Sequence, residues 1–135
     1  MKKFILLAIL SVCTTILSNA QTQNYTDSLR RLMTFQKVEA AKMQIKIQLG
    51  DYFEKTNADS ALYWYKQAIP TNLGDSTSIY SWAVNTTDAE KYLLSLALAK
   101  HSVLSLKTTS NTNALENIEI ARNLADQINQ PPISV

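Results

Sequence analysis

The apolar residues from Ala58 to Ile69 recur three and four positions apart, which is the spacing of one face of an α-helix. A shorter helix is expected around Asp27 to Phe35. Pro70 ends the Ala58 segment, because proline lacks an amide hydrogen and clashes with the preceding turn. Helical spacing also occurs in three other segments: 37–55, 92–106 and 114–128. Alternating patterns typical of strands are scarce, so the sequence predicts an all-α domain.

The faces and starts of these helices can also be predicted. In Lys37 to Lys55 the expected buried stripe is Val38, Ala41, Ile45, Leu49 and Tyr52. Tyr92 to Leu106 is apolar on nearly all sides, which is typical of a central helix covered by its neighbours. Before this helix Thr87 and Glu90 have the spacing of a capping box, and Asn113 and Glu116 repeat it before the last helix. The segment from Pro70 to Asp88 predicts a connector with one apolar cluster, Ile79, Tyr80, Trp82 and Val84, whose aromatic residues dock on the core.

The N-terminus has the three parts of a secretory signal peptide. Lys2 and Lys3 precede an apolar stretch, and small residues precede Gln21, so residues 1–20 are expected to be removed. The mature domain, residues 21–135, would then be periplasmic or extracellular. Two alternatives remain: an uncleaved anchor, and a lipoprotein attached through Cys13, although Val12 is bulky for a lipoprotein signal. No later run of apolar residues is long enough for a membrane span.

Composition argues against several classes of function. With only Gly50 and Gly74, the chain cannot contain a glycine-rich phosphate loop. Lys2 and Lys3 account for the formal charge of +2, so the mature domain is neutral and nucleic acid is not an expected partner. His101 is the only imidazole and lacks the sequence context of a zinc site or a catalytic triad. We therefore expect no catalytic residue, no metal site and no cofactor.

An internal repeat relates the predicted helix from Ala58 to Ile69 to the last predicted helix, residues 114–128, at an offset of 53 residues. The offset aligns Ala61 with Ala114, Leu62 with Leu115, Tyr65 with Ile118 and Ala68 with Ala121. With Leu49-Gly50 and Phe53, this pattern resembles the tetratricopeptide repeat (TPR) family. The resemblance implies two helical hairpins: a unit at about 37–69 and a unit at about 89–128, separated by the connector 70–88.

In the TPR family the first helices of successive units line a groove that binds a peptide or protein without a cofactor. The resemblance places Gln44, Ile47, Asp51 and Glu54 on that groove. Without the family, the three polar residues among them are simply the solvated side of an amphipathic helix. Trp64 lies outside the core stripe and is a candidate interaction hot spot, because tryptophan is enriched where interfaces concentrate their energy.

These observations lead us to expect an exported protein–protein interaction module. One alternative is the extracytoplasmic input region of a bacterial signalling receptor, present as a fragment. A small envelope enzyme or sugar-binding protein is another, and it would need a pocket that gathers His101 with Asp or Glu. Because repeat proteins usually need about three units for stability, two units suggest a homodimer or the front of a longer chain.

Overall fold

The computed structural model of the protein describes residues 23–73, 75–109 and 113–129. These residues form helices joined by turns and include no β-strand, which confirms the all-α prediction. The expected signal peptide and Cys13 lie outside the described residues. The chain divides into two compact units, residues 1–35 and 36–135.

In the first unit residues 23–35 are helical (α1), which confirms the predicted lead-in helix and begins it earlier than expected. The second unit contains five helices within its described residues: α2 (Glu39–Glu54), α3 (Ala58–Ala68), α4 (Ser76–Val84), α5 (Asp88–Thr108) and α6 (Asn113–Asn129). Helix α5 contacts α2, α3 and α6, and α2 contacts α3. A short turn joins α2 to α3, and four residues separate α5 from α6. The helices of each pair are in contact, so each pair is a helical hairpin.

Helix α4 was not predicted, because its segment is rich in serine and threonine and follows a proline. The structure shows why it forms. The Asp75 side chain accepts a hydrogen bond from the amide of Ser78, and the Ser78 hydroxyl accepts one from the amide of Asp75. This capping box satisfies the first turn, and burial of Ile79 and Ala83 holds the helix against the core. The aromatic residues Tyr80 and Trp82 pack there as expected.

The Thr87 cap is confirmed in part. The Thr87 hydroxyl accepts from the amide of Glu90 at 3.3 Å. The carboxylate of Glu90 does not return to the amide of Thr87; it accepts a hydrogen bond from the hydroxyl of Thr86. Glu116, expected to help cap α6, makes no hydrogen bond within the described residues.

Two apolar clusters form the core of the second unit, and α5 contributes to both. The first joins α2, α3 and α5: Ile47, Ala61, Tyr65, Ala68, Ala97 and Leu104. The second joins α2, α4, α5 and α6: Met43, Ile79, Ala83, Leu94, Leu98, Ile120, Ala121 and Leu124. The four aligned alanines of the repeat are all buried: Ala61, Ala68, Ala114 and Ala121.

The stripe predicted for α2 is only partly correct. Ile45 and Leu49 are buried, but Val38 is exposed and Ala41 and Tyr52 are half-buried. Met43, Ile47 and Gly50 are buried as well. Met43, Ile47 and Gly50 share one face of α2, and Ile45 and Leu49 lie on another. Helix α2 is therefore covered on more than one side, and one amphipathic stripe could not describe it.

Gly50 of α2 lies directly against the ring of Tyr65 of α3. A methyl group added at Gly50 would lie 2.3 Å from Cε1 of Tyr65 and 2.5 Å from Cδ1. The ring is fully buried and cannot retreat into solvent. Glycine is therefore needed here for space.

We expect Gly50→Ala to lower the free energy of unfolding by about 1–2 kcal/mol, because overpacking costs more than alanine gains as a helix former. Urea denaturation followed by circular dichroism measures this. In a Tyr65→Leu background the same substitution should be neutral or stabilising, because the ring is gone. If Gly50→Ala alone did not lower the free energy of unfolding, the steric explanation would be contradicted.

Candidate functional site

Four polar side chains meet where the first hairpin contacts α5. The Tyr65 hydroxyl lies 2.7 Å from Oδ1 of Asp51 and 3.0 Å from Oε2 of Glu54, and either carboxylate can accept its proton. Nζ of Lys100, on α5, lies 2.6 Å from the same Oδ1 and 5.8 Å from the centroid of the Tyr65 ring. The cluster thus connects α2, α3 and α5.

This arrangement keeps Tyr65 protonated. Burial of the ring is the largest cause that raises its pKa, and the two carboxylates raise it further. The phenol is therefore a lasting hydrogen-bond donor. Asp51 and Glu54 consequently have a structural task within the hairpin, whether or not they also meet a partner.

The residues expected to line a groove have different positions in the structure. Gln44 and Asp51 are exposed on α2, and so is Glu54. Ile47 is only 3 % exposed, which makes its assignment to the groove wrong. It packs with Tyr65 from α3 and other members of the first core cluster, because that side of α2 faces the neighbouring helices.

Trp64, the expected hot spot, is half-buried. Its ring packs edge to face against Tyr63, with the centroids 5.3 Å apart and an interplanar angle of 80°. This contact lies on α3. Gln44 and Asp51, by contrast, lie on α2.

Helix α5 is not covered on all sides, contrary to the prediction. Tyr92, Val103 and Leu106 are 55 %, 44 % and 41 % exposed. With the half-buried Leu96 and Ala99 they recur four, three, four and three positions apart, which places them on one face of the helix. Leu96 and Ala99 also pack against the core clusters, whereas Tyr92, Val103 and Leu106 leave much of this apolar stripe of α5 exposed.

The stripe lies beside the exposed face of α2. The Asp51–Lys100 ion pair joins the two helices, and its side chains are 44 % and 31 % exposed. Residues three, four or seven positions away share the faces of this pair. We call the patch formed by these residues and the apolar stripe the first-helix surface: Gln44, Gln48, Asp51 and Glu54 on α2, Lys55 directly after α2, and Tyr92, Leu96, Ala99, Lys100, Val103, Leu106 and Lys107 on α5.

A second feature is a cleft with a volume of about 490 Å³, lined by α3, α4, α5, α6 and the turn before α4. Buried Ile79, Leu98 and Ile120 supply its apolar floor. Polar side chains stand among the lining: Lys66, Gln67, Asp75, His101, Glu116 and Asn117. The cleft therefore gathers His101 with two carboxylates, which is the feature that the third functional alternative required.

The electrostatics of the cleft centre on His101. Its pKa is lowered, first by burial and then by the positive charge of Lys66. The imidazole is therefore neutral at pH 7. No group of three or more His, Cys, Asp or Glu suited to a metal ion occurs within the described ranges.

Both surfaces combine residues that the sequence had indicated, such as Asp51 and His101, with residues that it had not. The spacing from Tyr92 to Leu106 was a usable signal for the stripe, but a helix with apolar residues all round was interpreted as fully covered. The cleft had no such signal. Its lining comes from four helices, one of which was not predicted.

Comparison with family models, curated proteins and solved structures gave no match. The functional assignment therefore depends on the geometry of the chain itself. Among the described helices, none combines the length and apolar character needed to cross a membrane.

The lowered pKa of His101 predicts a specific pH dependence. As pH falls through about 6.5, the unfolded chain takes up a proton that the folded chain resists, so stability from His101 is complete above that pH and is lost below it. We expect His101→Gln to flatten the decline in unfolding free energy between about pH 7 and pH 5.5. Urea titrations of both proteins measure the difference.

An NMR titration provides the control, because the chain has only one histidine. The imidazole of the folded protein should titrate below the value for a free histidine, and Lys66→Met should move that pKa upward. The role assigned to burial and Lys66 would be contradicted if the wild type and His101→Gln lost stability equally with falling pH and the pKa of His101 were that of a free histidine.

Proposed function

We propose that the protein is a TPR-like interaction module that binds a peptide or protein segment on its first-helix surface. The proposal assigns it no chemistry of its own and no cofactor. Its setting would be the cell envelope, as expected from residues 1–20. The supporting observations concern first the kind of fold and then the surface.

Three packing features support the TPR-like arrangement. Gly50 and Tyr65 make the close approach expected of the small and aromatic positions of one unit. The paired alanines of the repeat are buried in both hairpins. Helix α5 contacts both helices of the preceding hairpin, as the first helix of a stacked unit does.

The observation that carries the function is the open apolar stripe of α5 beside the polar face of α2. Large apolar side chains exposed side by side on a rigid helix are typical of a binding surface. Here they belong to the first helix of the second hairpin, and Gln44 and Asp51 belong to the first helix of the first. The two helices are in contact, so one ligand segment can touch both.

Charge on the first-helix surface favours an acidic segment. Asp51 is paired with Lys100, whereas Lys55 and Lys107 make no ion pair within the described residues and outnumber the one other carboxylate of the surface, Glu54. A surface with more lysines than carboxylates beside an apolar stripe complements a peptide with apolar side chains and nearby carboxylates. Steering by these lysines would make association faster at low salt.

Selection of random peptides on the immobilised protein tests the proposal. We expect the recovered peptides to be rich in apolar and acidic residues. For a synthetic peptide of this type, Val103→Glu should weaken binding about tenfold or more, because it places a charge in the centre of the stripe. Isothermal titration calorimetry gives the affinities.

The matched control is Leu115→Glu, which makes the same change in charge at a residue of α6 that is 66 % exposed. It should leave the affinity unchanged. Circular dichroism confirms that both variants remain folded. Recovery of no binding peptide, or equal affinity for the wild type and Val103→Glu, would refute the assignment of this surface.

A further inference from the structure

We propose that the cleft between α3, α4, α5 and α6 is a second binding site, and that it takes a short apolar peptide with a free amino and a free carboxyl terminus. This site is separate from the first-helix surface. It does not depend on the proposed function of that surface.

The first argument is the shape of the cleft. Its volume of about 490 Å³ lies in the range of pockets that bind small ligands. The cleft combines an apolar floor with polar side chains around it, which is the usual composition of such pockets. Ile79, Leu98 and Ile120 are each less than 5 % exposed and supply a rigid base for aliphatic side chains.

The second argument is that the polar groups of the cleft are unused. The side chains of Lys66, His101 and Glu116 make no hydrogen bond or ion pair within the described part of the chain, and the same holds for those of Gln67 and Asn117. Asp75 differs, because its carboxylate caps α4. Five uncommitted polar side chains around one apolar floor are available to a ligand.

The third argument is the kind of groups present. Lys66, at the end of α3, is a cation, and Glu116, in the first turn of α6, is an anion. They line the same cleft but do not pair with each other. A ligand with a carboxylate and an ammonium group would satisfy both charges, and each charge-assisted contact would be stronger than a neutral one.

The remaining polar groups favour a peptide over other zwitterions. The amides of Gln67 and Asn117 each offer a donor and an acceptor, which complement the C=O and N–H of a peptide bond. The neutral imidazole of His101 offers one donor and one acceptor as well. Aliphatic side chains of the ligand would rest on the isoleucine and leucine floor.

Titration of the purified protein with the dipeptide Leu-Leu tests this proposal, with N-acetyl-Leu-Leu and Leu-Leu amide as probes of each terminus. Because His101 is the only histidine, its imidazole NMR signals report binding in the cleft directly. We expect saturable shifts with Leu-Leu. Blocking either terminus should weaken binding about tenfold, the loss of one charge-assisted contact.

Two variants assign the termini to residues. Lys66→Met should weaken Leu-Leu binding about tenfold and remove the difference between Leu-Leu and its amide. Glu116→Gln should likewise weaken Leu-Leu binding about tenfold, and it should remove the difference between Leu-Leu and N-acetyl-Leu-Leu. The controls Lys107→Met and Glu119→Gln remove the same charges outside the cleft and should change nothing. Val103→Glu should also leave dipeptide binding intact, which separates this test from that of the first-helix surface.

Absence of saturable shifts at His101 with millimolar Leu-Leu would overturn the proposal. Equal affinities for the free and blocked dipeptides would overturn it too, because recognition would then not involve the termini. Binding that Lys66→Met and Glu116→Gln leave unchanged would have the same consequence.

Discussion

The contact of the Tyr65 ring with Gly50 sets the geometry of the first hairpin, because no other residue type would let α2 and α3 approach so closely. The same ring belongs to the core cluster that includes Ala97 of α5. Its hydroxyl holds Asp51 and Glu54 on α2, and Asp51 in turn holds Lys100 on α5. One buried tyrosine thus links the three helices whose arrangement creates the first-helix surface.

Helix α5 has more apolar surface than its neighbours cover. Ala97 packs in one cluster and Leu94 with Leu98 in the other, which buries the sides of the helix that face α2, α3, α4 and α6. On the remaining face Tyr92, Val103 and Leu106 are each more than 40 % exposed. A partner that covers this apolar surface removes it from water, which makes binding there favourable.

Helix α4 gives the protein a feature that two plain hairpins would lack. It buries Ile79 and Ala83 in the second cluster and, with the turn before it, supplies part of the lining of the cleft. The neutral state of His101 reflects the same construction, because burial at this place and the charge of Lys66 both disfavour the imidazolium. The two surfaces of the domain therefore have different origins: one follows from the repeat, the other from the segment between its units.

Local patterns were sufficient for the all-α class, the extents of α3 and α5, the Thr87 cap and the small buried positions of the repeat, since each depends on neighbours within one helical turn. The tertiary structure decided the rest. Ile47 is buried rather than available to a partner because two helices cover its side of α2. Tyr92, Val103 and Leu106 are exposed because the core clusters form mainly on the other faces of α5. The existence of α4, and with it the cleft that gathers Lys66, His101 and Glu116, depended on burial against distant residues, which helical spacing cannot reveal.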